Sequence, residues 1–151
     1  LDFGLVLPRL DAPAVELSAD GGIAGSPQYM APEQASGEAR LDARTDLYGL
    51  GAVAYYLLVG RPPFVGTTAM SVVISAARDP IEPPSQHRSD LPADLERVVM
   101  RCLARSPSDR YPDAKSLEAA LADCSDASRW DFNHAEDWWR SREGQRKPIV
   151  D

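Results

Sequence analysis

Cysteine and histidine are scarce in this chain, two of each in 151 residues. Cys102 and Cys124 lack the spacing of a disulfide framework or a zinc site, which points to a reducing compartment. Cys102 falls on an apolar helical stripe, the place of a small buried hydrophobe. His87 and His134 lie in polar stretches with no partner at ligand spacing and read as solvated surface side chains. Positive charge is also short: 16 Lys and Arg face 23 Asp and Glu, for a net charge of −7. That balance argues against nucleic acid as the main partner, because phosphate contact favours a basic surface. No apolar run reaches the length that crosses a bilayer; the greasiest, Leu50 to Val59, is too short. No signal peptide is visible. A cytoplasmic location is the expectation, with membrane attachment left to segments outside this sequence.

What remains is one domain's worth of chain, or part of a larger domain, with 44% apolar residues to build a core. Residues 7 to 28 carry prolines and glycines with little periodicity and read as a long loop, a feature usually either functional or disordered. Ala31-Pro32-Glu33-Gln34-Ala35 suggests a short helix with proline in its first turn. Thr45 to Gly60 is apolar nearly all round, which predicts a helix buried on every side. Gly49 and Gly51 weaken that helix and suggest close packing of another backbone; Gly60 suits a left-handed cap before Pro62-Pro63. Shorter helices are expected over Met70 to Ala77 and Pro112 to Ala122, the latter with Ala114, Leu117 and Leu121 facing in. Leu95, Val98, Val99, Cys102 and Leu103 recur at one-sided helical spacing. The tail holds Trp130, Trp138 and Trp139, expected to pack against helices, and then the basic run Arg140, Arg142, Arg146, Lys147, expected to be a solvated end. Five or six helices and almost no strand make a mainly α domain.

Asp2-Phe3-Gly4 is a weak signal alone. It gains weight from "GSPQYMAPE" at Gly25, "DLYGLG" at Asp46, "RPPF" at Arg61 and "DRYPDA" at Asp109. With these five ordered motifs the chain resembles the eukaryotic-type serine/threonine protein kinases, and their bacterial members most closely. The resemblance runs from Leu1 to about Cys124. It implies the helical C-terminal lobe of a kinase-like fold, whose complete form is α+β. Residues 1–33 would be the activation segment, 34–124 the helical lobe and 125–151 a Trp-containing extension. The family's Gly-rich loop, its Val-Ala-Ile-Lys lysine and its His-Arg-Asp catalytic loop do not occur here; all precede Asp-Phe-Gly in family order. The resemblance therefore implies a fragment inactive by itself.

In this family Asp2 would hold Mg²⁺ against the β- and γ-phosphates of ATP, Phe3 would pack inward and set whether Asp2 points at the nucleotide, and Gly4 completes the cofactor-binding motif. Ser26 would bond the catalytic aspartate and lysine, while also suiting a plain turn before Pro27. Pro27, Gln28, Tyr29 and Met30 belong to the substrate-binding segment, the last three forming a shallow pocket for the residue after the phosphoacceptor. Asp46 would fix the catalytic loop from below, or simply cap its helix. Ser18, the only hydroxyl between Gly4 and Ser26, is the expected regulatory phosphosite. Glu33 is expected to pair with Arg110. The implied partners are protein substrates, the N-lobe and catalytic loop of the same kinase, and a second kinase in a dimer. A different class of function stays open: a non-catalytic, pseudokinase-like interaction module.

Overall fold

The computed structural model describes residues 26–37, 41–129 and 131–142. Among them are six α-helices, four short 3-10 turns and no strand. The helices are α1 (Pro32–Ala35), α2 (Ala43–Val59), α3 (Ala69–Arg78), α4 (Ala93–Cys102), α5 (Ala114–Ala122) and α6 (Phe132–Arg142).

Side-chain chemistry sets the helix ends. Asp42 caps α2, its carboxylate accepting the Arg44 N–H at 2.9 Å. Asp46, expected as a capping residue, sits further along in the first turn. At the far end Gly60 takes φ 80°, and its N–H donates to the Tyr56 carbonyl at 2.7 Å. Only glycine adopts that geometry without strain, and Pro62-Pro63 keeps the helix from resuming. Thr68 and Ser71 cap α3 reciprocally, Thr68 Oγ1 accepting the Ser71 N–H at 3.1 Å and Ser71 Oγ accepting the Thr68 N–H at 3.2 Å. Asp113 does the same work for α5, accepting from the Ser116 N–H at 2.7 Å.

The core lies on both sides of the crossing between α2 and α4. On one side Ala31, Tyr48, Ala52, Tyr55, Val99 and Leu103 join α1 to this pair. On the other, Leu47, Val98, Cys102, Tyr111 and Leu117 bring in α5. A third cluster, Phe64, Val72 and Ala76, sits beneath α3. Cys102, in the second cluster, is buried as a small hydrophobe, and burial pushes its thiol up to about 11, so it stays neutral.

Several sequence expectations need correction. Helix α2 is not buried all round. Leu50, Val53, Tyr56 and Leu57 share one face and are 43 to 75% exposed. In α5 only Leu117 is buried; Ala114 and Leu121 face outward, because a nine-residue helix at the edge of the domain needs a single inward anchor. Trp138 and Trp139 remain 38% and 58% exposed, meeting each other edge-on at 4.8 Å instead of packing into the body. Arg142 lies over the Trp138 ring at 4.2 Å. The histidines are exposed at the surface as expected, each beside a carboxylate: His87 Nε2 is 3.1 Å from Glu82, and His134 Nδ1 is 2.7 Å from Asp131. Trp130, Arg146 and Lys147 lie outside the described residues. Among the described residues no helix is long and apolar enough to cross a membrane.

Candidate functional site

The segment from Ser26 to Met30 is the functional candidate that the structure describes most fully. Pro27 opens a single 3-10 turn, its fixed φ suiting a first helical position. The turn closes through the Tyr29 N–H donating to Ser26 O at 3.0 Å and the Met30 N–H donating to Pro27 O at 3.3 Å. Ser26 and Gln28 are exposed; Pro27, Tyr29 and Met30 are half-buried. Helix α3 packs against this turn, and between the two runs an open groove of about 320 Å³. Ser26, Pro27 and Gln28 form one wall, and the stretch from Gly66 to Val72 forms the other.

Ala31, with no exposed surface, ends the segment in the core. The Gln34 side chain accepts the Ala31 N–H at 3.0 Å and turns the chain into α1. One residue into that helix, Glu33 points inward and meets Arg110. Arg110 Nη1 donates to Glu33 Oε1 at 2.6 Å, and Nη2 donates to Oε2 at 2.7 Å. Glu33 is 4% exposed and Arg110 2%.

An ion pair this deep survives only if its remaining hydrogen-bonding capacity is filled. Here it is. Arg110 Nη1 also donates to the Arg44 carbonyl, Nη2 to that of Arg105 and Nε to that of Ala104, so all five guanidinium N–H groups are used. The Thr45 hydroxyl donates to Glu33 Oε1 at 3.0 Å. The guanidinium also lies over the Tyr48 ring, 4.9 Å from its centroid. Burial raises the Glu33 pKa, but hydrogen bonds from Arg110, the Arg110 charge and the Thr45 bond outweigh it and leave the carboxyl below its ordinary value. Tyr48 goes the other way, burial pushing its phenol up to about 12. The Glu33 carboxylate thereby ties α1 to the start of α2 and to the 104–110 loop, directly behind the Ser26–Met30 segment.

The remaining candidates are placed as follows. Asp46 is exposed and makes no hydrogen bond or ion pair among the described residues. Asp2, Phe3, Gly4 and Ser18 lie outside the described residues. Among the described residues no group of three His, Cys, Asp or Glu side chains could hold a metal ion. The structure adds Thr45 and Tyr48 around the ion pair, and the Gly66–Thr68 wall of the groove. The first two were readable as buried polar positions one turn apart in "TDLY". The wall's only sequence signal was the hydroxyl pair ahead of α3.

Comparison with known proteins agrees with this architecture. Residues 2–121 match the protein kinase domain family. The chain belongs to that family. It is 40% identical over 121 residues to the serine/threonine-protein kinase PknB of Mycobacterium leprae. Identity to the proteins of that name is 39% in Mycobacterium tuberculosis and 37% in Mycolicibacterium smegmatis. Each of these alignments covers 80% of this chain but 19% of the relative. The chain therefore spans about a fifth of the length of these relatives.

Proposed function

We propose that this chain forms part of a serine/threonine protein kinase that transfers the γ-phosphate of ATP to protein hydroxyls. The observation that supports it most is the Ser26–Met30 segment, exposed along a groove and anchored from behind by the Glu33–Arg110 pair. A peptide substrate needs a surface that is open yet held in register, because phosphoryl transfer depends on positioning more than on covalent chemistry. In this reading Gln28, Tyr29 and Met30 seat the residue after the phosphoacceptor. Ser26 bonds the catalytic aspartate and lysine supplied by the rest of the enzyme. Asp46, exposed at the start of α2, accepts hydrogen bonds from the catalytic loop.

Asp2, with Phe3 setting its direction and Gly4 completing the cofactor-binding motif, would hold Mg²⁺, which would neutralise charge on the phosphates of ATP. The Gly-rich loop, the lysine and the catalytic base belong to the N-lobe and catalytic loop, so activity is proposed for the polypeptide that carries them and not for these 151 residues alone. Residues 1–33 act as the activation segment and 34–124 as the helical lobe. Residues 125–151, beyond the family match, form an extension. Ser18 is the proposed regulatory phosphosite, where a dianionic phosphate could recruit an arginine. Protein substrates, and a second kinase presenting its own loop, are the proposed partners.

The test is phosphate transfer from MgATP to a generic basic protein by the longer polypeptide, its Asp2→Asn variant and the 151-residue chain. Transfer by the first only is expected. No transfer by the longer polypeptide would favour the pseudokinase-like interaction module, and transfer that survives Asp2→Asn would remove Asp2 from the mechanism.

A further inference from the structure

Between Pro32 of α1, Tyr48 of α2, Ala76 of α3 and the end of α4 lies a cavity of about 200 Å³. Phe64, Ala76, Met100 and Leu103 give it apolar walls, and an apolar cavity of about 150 Å³ already holds a benzene ring. One polar group inside is unspent. Tyr48 is 2% exposed, yet its hydroxyl makes no hydrogen bond among the described residues. A buried tyrosine usually finds a partner; Tyr55, two turns along the same helix, donates to the Glu82 carbonyl at 2.9 Å. Among the described residues no partnerless side-chain oxygen of the interior is shut off from open space. The Tyr48 hydroxyl therefore opens onto this cavity, which Tyr48 lines. Burial pushes its pKa up to about 12, so it stays a donor. Arg105 lines the same cavity. Its Nη2 donates to the Asp79 carbonyl at 3.0 Å, which fixes the guanidinium and leaves its other N–H groups without a partner among the described residues. The Asp79 carboxylate, exposed at the rim, is the one opposing charge among the lining residues.

We propose that this cavity binds a small carboxylic acid with a compact apolar body, its carboxylate held by the Tyr48 hydroxyl and the Arg105 guanidinium. The inference goes beyond the kinase reading and does not depend on it. The apolar body leaves water for the Phe64, Met100 and Leu103 side chains. The carboxylate accepts charge-assisted hydrogen bonds from a guanidinium already held in place and from a phenol with no other partner. A cation would face that guanidinium and gain only Asp79, a carboxylate that water already solvates. Pro32 precedes Glu33 in α1, so an occupant touches this helix beside the anchor of the Ser26–Met30 segment.

The probe is benzoate, titrated into the longer polypeptide and followed through the ε-methyl NMR signal of Met100, assigned with Met100→Leu. A Kd of about 1 mM is expected for a ligand of this size. Benzamide, the neutral isostere, and benzylamine, the cation, should each bind about fivefold more weakly. Tyr48→Phe should weaken benzoate about tenfold, and Arg105→Gln about fivefold while erasing the preference over benzamide. Both variants preserve the surroundings: the first loses one oxygen, and the second keeps the backbone carbonyl that Arg110 uses. A Met100 signal that stays still in a large excess of benzoate would overturn the inference. Benzylamine binding as tightly as benzoate would also overturn it, giving the charge preference to Asp79. So would unchanged benzoate affinity in both variants.

Discussion

Glu33 and Arg110 are 77 positions apart in sequence and meet through two hydrogen bonds of 2.6 and 2.7 Å. This is the one long-range ion pair whose two members are both buried among the described residues. Its consequence is mechanical. Carbonyls of Arg44, Ala104 and Arg105 converge on the same guanidinium, so α1 behind the Ser26–Met30 segment, the start of α2 and the loop after α4 share one anchor.

Removing either partner strands the other in the core. In the longer polypeptide Glu33→Ala and Arg110→Ala should each cost roughly 3–5 kcal/mol, against roughly 0–1 kcal/mol for an exposed pair. The double variant should lose far less than the sum, read from urea midpoints at constant slope. Arg110→Lys should recover little, because one ammonium cannot span both carboxylate oxygens and three carbonyls. Additive sub-kilocalorie losses would mean that the pair contributes no coupled stability.

The same site sets a pH window. The folded-state pKa of Glu33 lies below its ordinary value of 4.5. Its contribution is therefore complete above 4.5 and is lost as pH falls through the folded value. Tyr48 limits the alkaline side: its phenol moves from 10.0 up to about 12, so stability declines as pH rises from 10 toward 12. Denaturation midpoints of the parent should fall at both ends. Glu33→Gln should flatten the acid limb, and Tyr48→Phe the alkaline one.

Much of this architecture was legible because local rules and the global fold agree. Pro32, Gly60 and the one-sided run from Leu95 to Leu103 announce helix starts, stops and faces through φ limits and 3.6-residue spacing. The Glu33–Arg110 contact came from the ordered motifs; no local pattern reaches across 77 positions. Burial was the weaker inference. A helix that is apolar all round announces that all its faces want cover, but not which are covered within this chain. The partners of His87 likewise depend on how the loop after α3 folds back toward Arg61.

Gly49 and Gly51 show the same limit and give a contrast to test. Both suggested close packing, yet a Cβ on Gly51 would lie 2.6 Å from Cys102 Cβ and 3.3 Å from Leu103 Cγ, at the α2–α4 crossing. On Gly49 the nearest atom would be Tyr29 O at 3.6 Å, an ordinary contact. Gly51→Ala should cost roughly 1–3 kcal/mol by forcing the helices apart. Gly49→Ala should be neutral, or stabilising by up to about 1 kcal/mol through helix propensity. Thermal or urea denaturation separates the two; equal losses would show that the α2–α4 approach does not set the difference.

The outward face of α2 yields the last prediction. Leu50, Val53 and Leu57, 53, 43 and 75% exposed, follow one another at helical spacing beside Tyr56. Four apolar side chains on one face of the central helix are costly to leave in water, since burying a leucine is worth roughly 1.5–3 kcal/mol. The relatives are about five times as long as their alignment with this chain; in the proposed longer polypeptide, residues outside these 151 are available to cover that face. Leu57→Asp should therefore lower the stability of the longer polypeptide by at least roughly 2 kcal/mol, because a carboxylate would replace a buried leucine. In the 151-residue chain, where Leu57 is 75% exposed, the same change should stay within roughly 0.5 kcal/mol. Met70→Asp, on the exposed side of α3, is the comparison, with small effects expected in both. If Leu57→Asp is as harmless in the longer polypeptide as in this chain, the face is not an internal contact.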